Sequence, residues 1–286
     1  MEFIEVLKVI LLGIVEGITE WLPVSSTGHM ILLEKLLPLK VSPVFKEMFF
    51  VVIQLGAILA VVVMFFKKLF PLHIQKEEGQ KNKLVADMGI LNLWGKVLVA
   101  CLPAAVIGIL FDDFLEEHLH TPLIISLALI VYGVAFIWIE NRNKARELPI
   151  KETSQISYKQ ALIIGAFQVL SLIPGTSRSG ATILGALIIG VARPAGAEFT
   201  FFLAIPVMFG ASAIKLLKFF LDAGTMSGAE LGYLLIGAAV AFAVSLAAIK
   251  FLMDFVKKHD FKVFGWYRII LGAVVIAVLV LPPLFA

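Results

Sequence analysis

The chain has 286 residues, 60% hydrophobic and 16% charged, with a mean hydropathy of +0.99; soluble domains are about half apolar and a quarter charged, so this is an integral membrane protein with no room for a soluble domain beside its spans. Its 24 Lys+Arg against 21 Asp+Glu leave a net charge of +3, which in such a protein reflects basic loops and points to the bilayer as partner, with no nucleic acid. Cys101 is the single cysteine, which excludes an intrachain disulfide and a cysteine metal cluster.

Glu2 and Glu5 stand where a signal peptide would be basic, and no small-residue cleavage site precedes Glu16 and Glu20, so the first helix is expected to stay. That first segment, 3–19, is apolar but runs at once into Glu20, Pro23 and the polar cluster Ser25, Ser26, Thr27, Gly28 and His29, after which a short apolar run ends at Leu37 and Pro38. Spans are predicted over 45–66, 93–111 and 122–140. Segment 158–170 then repeats the opening pattern: Pro174, Gly175, Thr176, Ser177, Arg178, Ser179 and Gly180 interrupt it, and a short apolar run closes at Val191. Spans over 195–221, 229–252 and 264–284 complete the chain. At about 1.5 Å per residue, such segments of 19 to 27 residues cover about 28 to 40 Å, enough for a hydrocarbon core of roughly 30 Å. The interrupted halves are too short to cross, which predicts two re-entrant helix hairpins with polar tips inside the bilayer.

Adding 152 to the residue number maps Gly13 onto Gly165, Glu16 onto Gln168, Thr19 onto Ser171, Ser25 onto Ser177, Thr27 onto Ser179 and Gly28 onto Gly180. The chain therefore reads as one membrane domain, 1–286, made of a repeat over about 1–140 and a second over about 158–286. Each repeat is a hairpin followed by three spans. Because three is odd, the second hairpin enters from the opposite face, so the expected fold is an all-α integral membrane protein with six transmembrane helices and two opposed re-entrant hairpins in an inverted-topology repeat.

Loop charge sets the orientation. Lys67, Lys68, Lys76, Lys81, Lys83, Arg142, Lys144, Arg146, Lys151, Lys257, Lys258 and Lys262 fall on one face, against Lys40 and Lys46 in the first loop of the other and none in 112–121 or 221–228. The positive-inside rule makes the first face cytoplasmic and places both termini outside. Trp94, Trp138, Tyr158, Trp266 and Tyr267 fall at predicted helix ends and read as interfacial anchors without a ligand role.

Ionisable groups in hydrocarbon are costly and mark function. Glu16 and Glu20 lie four apart on one helix face. Two such carboxylates repel unless a cation, a proton or an arginine sits between them, and Mg²⁺ or Ca²⁺ takes such oxygen ligands. In the second tip, Gly175 and Gly180 allow close backbone approach, Ser177, Ser179 and Thr182 offer hydroxyls, and Arg178 offers a fork matched to phosphate oxygens. Serine and glycine are equally common where membrane helices merely pack. In the first tip, Ser25, Thr27 and Gly28 are further candidates for anion contact; His29 could move a proton and Ser26 could act as nucleophile. Glu47, Gln54, Glu198 and Thr200 follow the two hairpins, with Glu47 and Glu198 in equivalent places. Together these residues fit phosphoryl chemistry on a substrate whose tail stays in the bilayer. A secondary transporter or flippase for a lipid phosphate or small anion would share the architecture, but needs neither proton shuttle nor nucleophile.

The runs from Glu16 to His29 (EGITEWLPVSSTGH) and from Pro174 to Thr182 (PGTSRSGAT) closely resemble the two signature motifs of the undecaprenyl-diphosphate phosphatase (bacitracin resistance) family, and the similarity extends to Gln54-Leu55-Gly56 and Ala197-Glu198-Phe199. The resemblance implies a bacterial inner-membrane hydrolase that converts the polyprenyl lipid undecaprenyl diphosphate to undecaprenyl phosphate, the carrier for peptidoglycan precursors; a homodimer is compatible with it. It also implies an acidic motif at Glu16 and Glu20, a serine and histidine at Ser26 and His29, and an arginine motif at Ser177, Arg178 and Thr182. Thr176 occupies a place which that family leaves variable.

Overall fold

The structure is a computed structural model, and it describes residues 2–75 and 83–282. Helices dominate: α1 (Phe3–Thr19), α2 (Ser26–Leu36), α3 (Pro43–Val52), α4 (Gln54–Met64), α5 (Phe66–Leu69), α6 (Met88–Leu119), α7 (Pro122–Asn143), α8 (Tyr158–Val169), α9 (Arg178–Ile188), α10 (Arg193–Ala223), α11 (Gly228–Val256) and α12 (Lys262–Val275). Six segments among the described residues are long and apolar enough to cross a membrane: Pro43–Met64, Met88–Phe111, Pro122–Asn143, Arg193–Asp222, Gly228–Val256 and Lys262–Val280. These coincide with the six predicted spans; residues 283 and 284 of the last one, with Lys76 and Lys81 of the basic face, lie outside the described residues.

Local chemistry fixes where several of these helices start. Asp87 accepts from the backbone N–H groups of Gly89 and Ile90 to open α6, Thr121 caps α7 ahead of Pro122, and Ser157 with Gln160 and Ser227 with Glu230 form capping boxes on α8 and α11. One expectation needs correction. Residues 112–121 are not a loop: α6 continues to Leu119, because a helix needs no apolar residues once past the hydrocarbon, and nothing in 112–119 breaks it. The all-α membrane class holds, with a small addition between α5 and α6, where β1 (Leu72–Gln75) pairs antiparallel with β2 (Lys83–Ala86); a short hairpin satisfies backbone groups as well as a helix does.

The spans turn bulky apolar side chains outward and small ones toward each other. Leu98, Leu102, Val106, Ile109 and Leu110 on α6 are all exposed, at the spacing of a lipid-facing helix surface. Inside, α1 packs on α11, α8 on α6, and α7 on α12. A Cβ on Gly165 would stand 2.1 Å from the Ala100 carbonyl, and one on Gly56 2.0 Å from that of Ala238, so glycine alone permits these backbone approaches. Glu140, 1% exposed at the end of α7, accepts from Arg193 Nε at 2.8 Å and from the Phe261 N–H at 3.1 Å, tying α10 and α12 to α7.

α1, α2, α8 and α9 are different. They hold 17, 11, 12 and 11 residues, or about 17 to 26 Å at the helical rise, shorter than the hydrocarbon core. Each pair, α1 with α2 and α8 with α9, is separated by an irregular turn.

Candidate active site

The two turns are built alike. Ser25 and Ser177 are the positive-φ non-glycine residues among those described, at 72° and 71°. In each case the side chain caps the next helix: Ser25 Oγ accepts from Gly28 N–H at 3.4 Å, and Ser177 Oγ from Gly180 N–H at 3.2 Å. A left-handed serine costs about 1–3 kcal/mol and persists only where its surroundings enforce it. Arg268 on α12 provides much of that enforcement. It is fully buried, and its guanidinium donates to the carbonyls of Pro23 (3.2 Å), Gly175 (2.9 Å) and Thr176 (2.8 Å), holding both turns at once. Gly175 itself has φ 91°, and a Cβ there would lie 2.4 Å from the Ile125 carbonyl.

Charge joins the turns as well. Arg178, the first residue of α9, donates from Nη2 to Glu20 Oε1 at 3.0 Å and from Nη1 to the Thr200 carbonyl at 2.9 Å, and its guanidinium lies 5.8 Å from the centre of the Trp21 ring. The other Glu20 oxygen accepts from Ser26 Oγ at 2.9 Å. One carboxylate therefore links the arginine of one turn to the serine of the other. The pair is nearly dry, with the Arg178 and Glu20 side chains 10% and 9% exposed, so the two charges depend on each other.

Several predicted contacts are spent on this assembly. Ser179 Oγ donates to the Glu20 carbonyl at 3.1 Å; Thr182 Oγ1 donates to the Arg178 carbonyl and accepts from Thr200 Oγ1, both at 2.9 Å. His29 does not meet Ser26. Its Nδ1 lies 2.7 Å from the Ser25 carbonyl and its Nε2 2.6 Å from the Tyr267 hydroxyl, with the two rings stacked. A carbonyl only accepts, so Nδ1 carries a proton, and in the neutral ring Nε2 accepts from Tyr267. Tyr267 is thus more than an interfacial anchor.

Beside this cluster lies a cavity of about 530 Å³. Glu16, Ser26, Thr27 and Gln54 line it, together with Glu34, Glu47 and Lys215, which pairs with Glu47. Glu20, Arg178 and His29 are not part of its wall, and Ser26 is the group that touches both cavity and ion pair. Glu16 is 1% exposed and its Oε1 has no hydrogen-bond partner. Arg178 bonds Glu20 and not Glu16 Oε1, so a buried carboxylate oxygen is left that could take a cation or a proton. No group of three or more His, Cys, Asp or Glu poised for a metal exists among the described residues. Two carboxylates fit Mg²⁺, which is commonly held by one or two carboxylates plus substrate phosphates, better than a full Ca²⁺ cage.

Sequence reasoning missed Arg268 and Thr200's part in holding Arg178. The signal for Arg268 was present: it is a charge inside a predicted span, the same ground on which Glu16 and Glu20 were singled out.

Comparison with known proteins places the whole chain. The family model described as bacitracin resistance protein BacA matches residues 9–274. An undecaprenyl-diphosphatase from Enterococcus faecalis is 63% identical over 278 residues, covering 97% of this chain and 98% of the relative. Proteins of the same name from Lachnoclostridium phytofermentans and Streptococcus suis are 56% identical (96% of this chain, 97% of the relative) and 53% identical (96% of each). With a match across both turns and every span, this chain belongs to the BacA bacitracin resistance family.

Proposed function

We propose that this chain hydrolyses undecaprenyl diphosphate to undecaprenyl phosphate and inorganic phosphate, the reaction named for its relatives, and so recycles a carrier lipid in the bacterial inner membrane. The observation that carries the site assignment is the Ser26–Glu20–Arg178 chain of contacts at the edge of the cavity. A hydroxyl bonded to a carboxylate is an activated nucleophile, and a guanidinium beside it neutralises charge on the phosphorus being attacked.

In this reading the diphosphate enters the cavity and meets Ser26. The Ser26 oxygen attacks the terminal phosphorus, Glu20 takes the hydroxyl proton, and undecaprenyl phosphate leaves with the bridging oxygen. Glu20 passes its proton to solvent; water then attacks the phosphoserine, Glu20 takes a proton from that water and returns it to the departing Ser26 oxygen, and inorganic phosphate is released. Beyond the N–H groups given to Glu20, Thr200 and Met208 Sδ, Arg178 has others left, and these bind phosphate oxygens once the substrate sits on Ser26. His29 and Tyr267 hold the Ser25 turn and so aim Ser26. A divalent cation, if bound, is held by Glu16 with Glu20 and supplies further charge neutralisation.

The two helix pairs are read as re-entrant hairpins of an inverted repeat. Matching strained serines 152 residues apart, and the equivalent packing of α1 on α11 and α8 on α6, support this. The cavity draws its walls from α2 along its length to Glu34, the later parts of α6 and α10, and the first half of the span Pro43–Met64, and these parts of the spans lie toward the ends opposite the basic loops, so it opens on the outer face, where the termini also lie. Labelling of a Cys101→Ser chain with single cysteines tests this orientation: position 121 is expected to react from outside and position 146 from the cytoplasm, and the reverse pattern would invert the fold in the membrane.

The functional reading is tested with purified chain in detergent, where no second compartment exists. Undecaprenyl diphosphate should yield equal amounts of phosphate and undecaprenyl phosphate, and excess chelator should abolish turnover until Mg²⁺ is restored. Absence of phosphate release would remove the hydrolase reading, and full turnover in chelator would remove the cation from Glu16.

A further inference from the structure

A second cavity, of about 640 Å³, shares no lining residue with the first and lies on the face of the basic loops. Lys67 and Lys68 reach it from α5, Lys96 from α6 and Lys151 from the segment after α7. Three carboxylates line it too, and all are engaged. Asp87 caps α6; Glu198 accepts from Lys68 Nζ at 2.6 Å and Thr153 Oγ1 at 3.2 Å; Glu152 accepts from Ser154 Oγ at 3.2 Å. Lys151 turns to Glu147, 2.8 Å away. Lys67 and Lys96 have no ion pair with any described residue.

Lys96 decides the matter. It is 5% exposed and lies eight residues into α6 from Met88, about 12 Å along the helix axis. Its ammonium donates to the Ser154 carbonyl at 2.9 Å, a contact that satisfies one N–H but cannot neutralise the charge. A largely covered ammonium whose described partner is a neutral carbonyl calls for an anion. Lys67, exposed at the cavity, follows the span Pro43–Met64 by three residues, so both ammonium groups stand at or just below the level of lipid headgroups.

We propose that this cavity is a binding site for a phosphate group, supplied by the headgroup of an anionic phospholipid in the leaflet beside the basic loops. The phosphate bridges Lys67 and Lys96, with the Ser154 and Thr153 edge beside it. Lysine suits a phosphate as a point charge, and basic pockets between transmembrane helices on the cytoplasmic side take acidic headgroups. The site is independent of the hydrolytic one, so its failure would leave the assignment of Ser26, Glu20 and Arg178 untouched.

The test is native mass spectrometry of the full-length chain titrated with phosphatidylglycerol, with phosphatidylcholine as comparison. Wild type is expected to retain phosphatidylglycerol preferentially, Lys67→Gln and Lys96→Gln to weaken retention about fivefold each, and Lys96→Arg to keep it. Continued hydrolysis of undecaprenyl diphosphate by the variants shows that they are folded; if Lys96→Gln is inactive, the exposed Lys67→Gln alone is decisive. Displacement of the lipid by inorganic phosphate, together with a phosphate-dependent rise in Tm that Lys67→Gln lacks, would support the same phosphate site with the free ion as its ligand. Equal retention of phosphatidylglycerol by wild type and Lys67→Gln, or equal retention of the two lipids by wild type, overturns the proposal.

Discussion

Replacing Arg178 with lysine is expected to lower kcat for undecaprenyl diphosphate hydrolysis by about 10²- to 10³-fold, the usual cost of removing one preorganised electrostatic donor. Lysine keeps the charge. What it loses is the planar fork that serves Glu20 Oε1, the Thr200 carbonyl and the substrate from one rigid group. An ammonium can hold Glu20 or face the phosphate, but it cannot span both with the same geometry. Steady-state kinetics distinguish this from lost affinity, since loss of binding alone would raise KM and leave kcat unchanged. A kcat within about threefold of wild type would show that Arg178 is a structural partner of Glu20 and nothing more.

Ser26→Ala should be more damaging still, because it removes the attacking oxygen itself. Turnover is expected to vanish, and wild type quenched in acid during turnover should carry phosphate on Ser26. Glu20→Gln tests the same step from the other side: amide in place of carboxylate leaves the hydrogen-bonding shape but not the base, at a cost of about 10²- to 10⁴-fold. That variant also leaves Arg178 buried without its counter-charge, so its fold is to be checked by Tm before kinetics are interpreted. If Ser26→Ala retains substantial activity and no phosphoserine is trapped, water is the nucleophile, and Glu20 acts on it directly.

Much of this was legible in the residues. The six spans declare themselves by hydropathy because a span must be apolar along its whole length. Ser25 and Ser177, Gly28 and Gly180 show the likeness of the two turns because the same local geometry needs the same residues. Glu16, Glu20 and Arg178 stood out as charges where charges are expensive. Partnership was not legible. Which of two carboxylates Arg178 would take is decided by the approach of α9 to the end of α1, a contact between residues 158 apart. The geometry selects Glu20 and leaves Glu16 Oε1 unpaired. His29 gave the same difficulty: one helical turn from Ser25, it seemed placed for proton transfer to Ser26, but α12 brings Tyr267 to its far nitrogen and the Ser25 carbonyl takes the near one. Arg268 was visible as a charge inside a span, but a lone arginine in an apolar segment gives no hint that its partners are backbone carbonyls from two distant turns. The strands escaped notice because each holds only four residues, too few to set up a pattern that favours pairing over coil.

The central claim is that the two turns form one catalytic unit, with Glu20 and Arg178 acting together across the two halves of the chain. A double-mutant cycle on kcat tests it most directly, comparing Glu20→Gln, Arg178→Lys and the double variant in the same detergent with the same substrate. Groups that act as a unit are strongly non-additive, so the double variant should be no slower than the slower single variant. If instead the two losses multiply, each residue contributes separately, and the joined site described here is wrong.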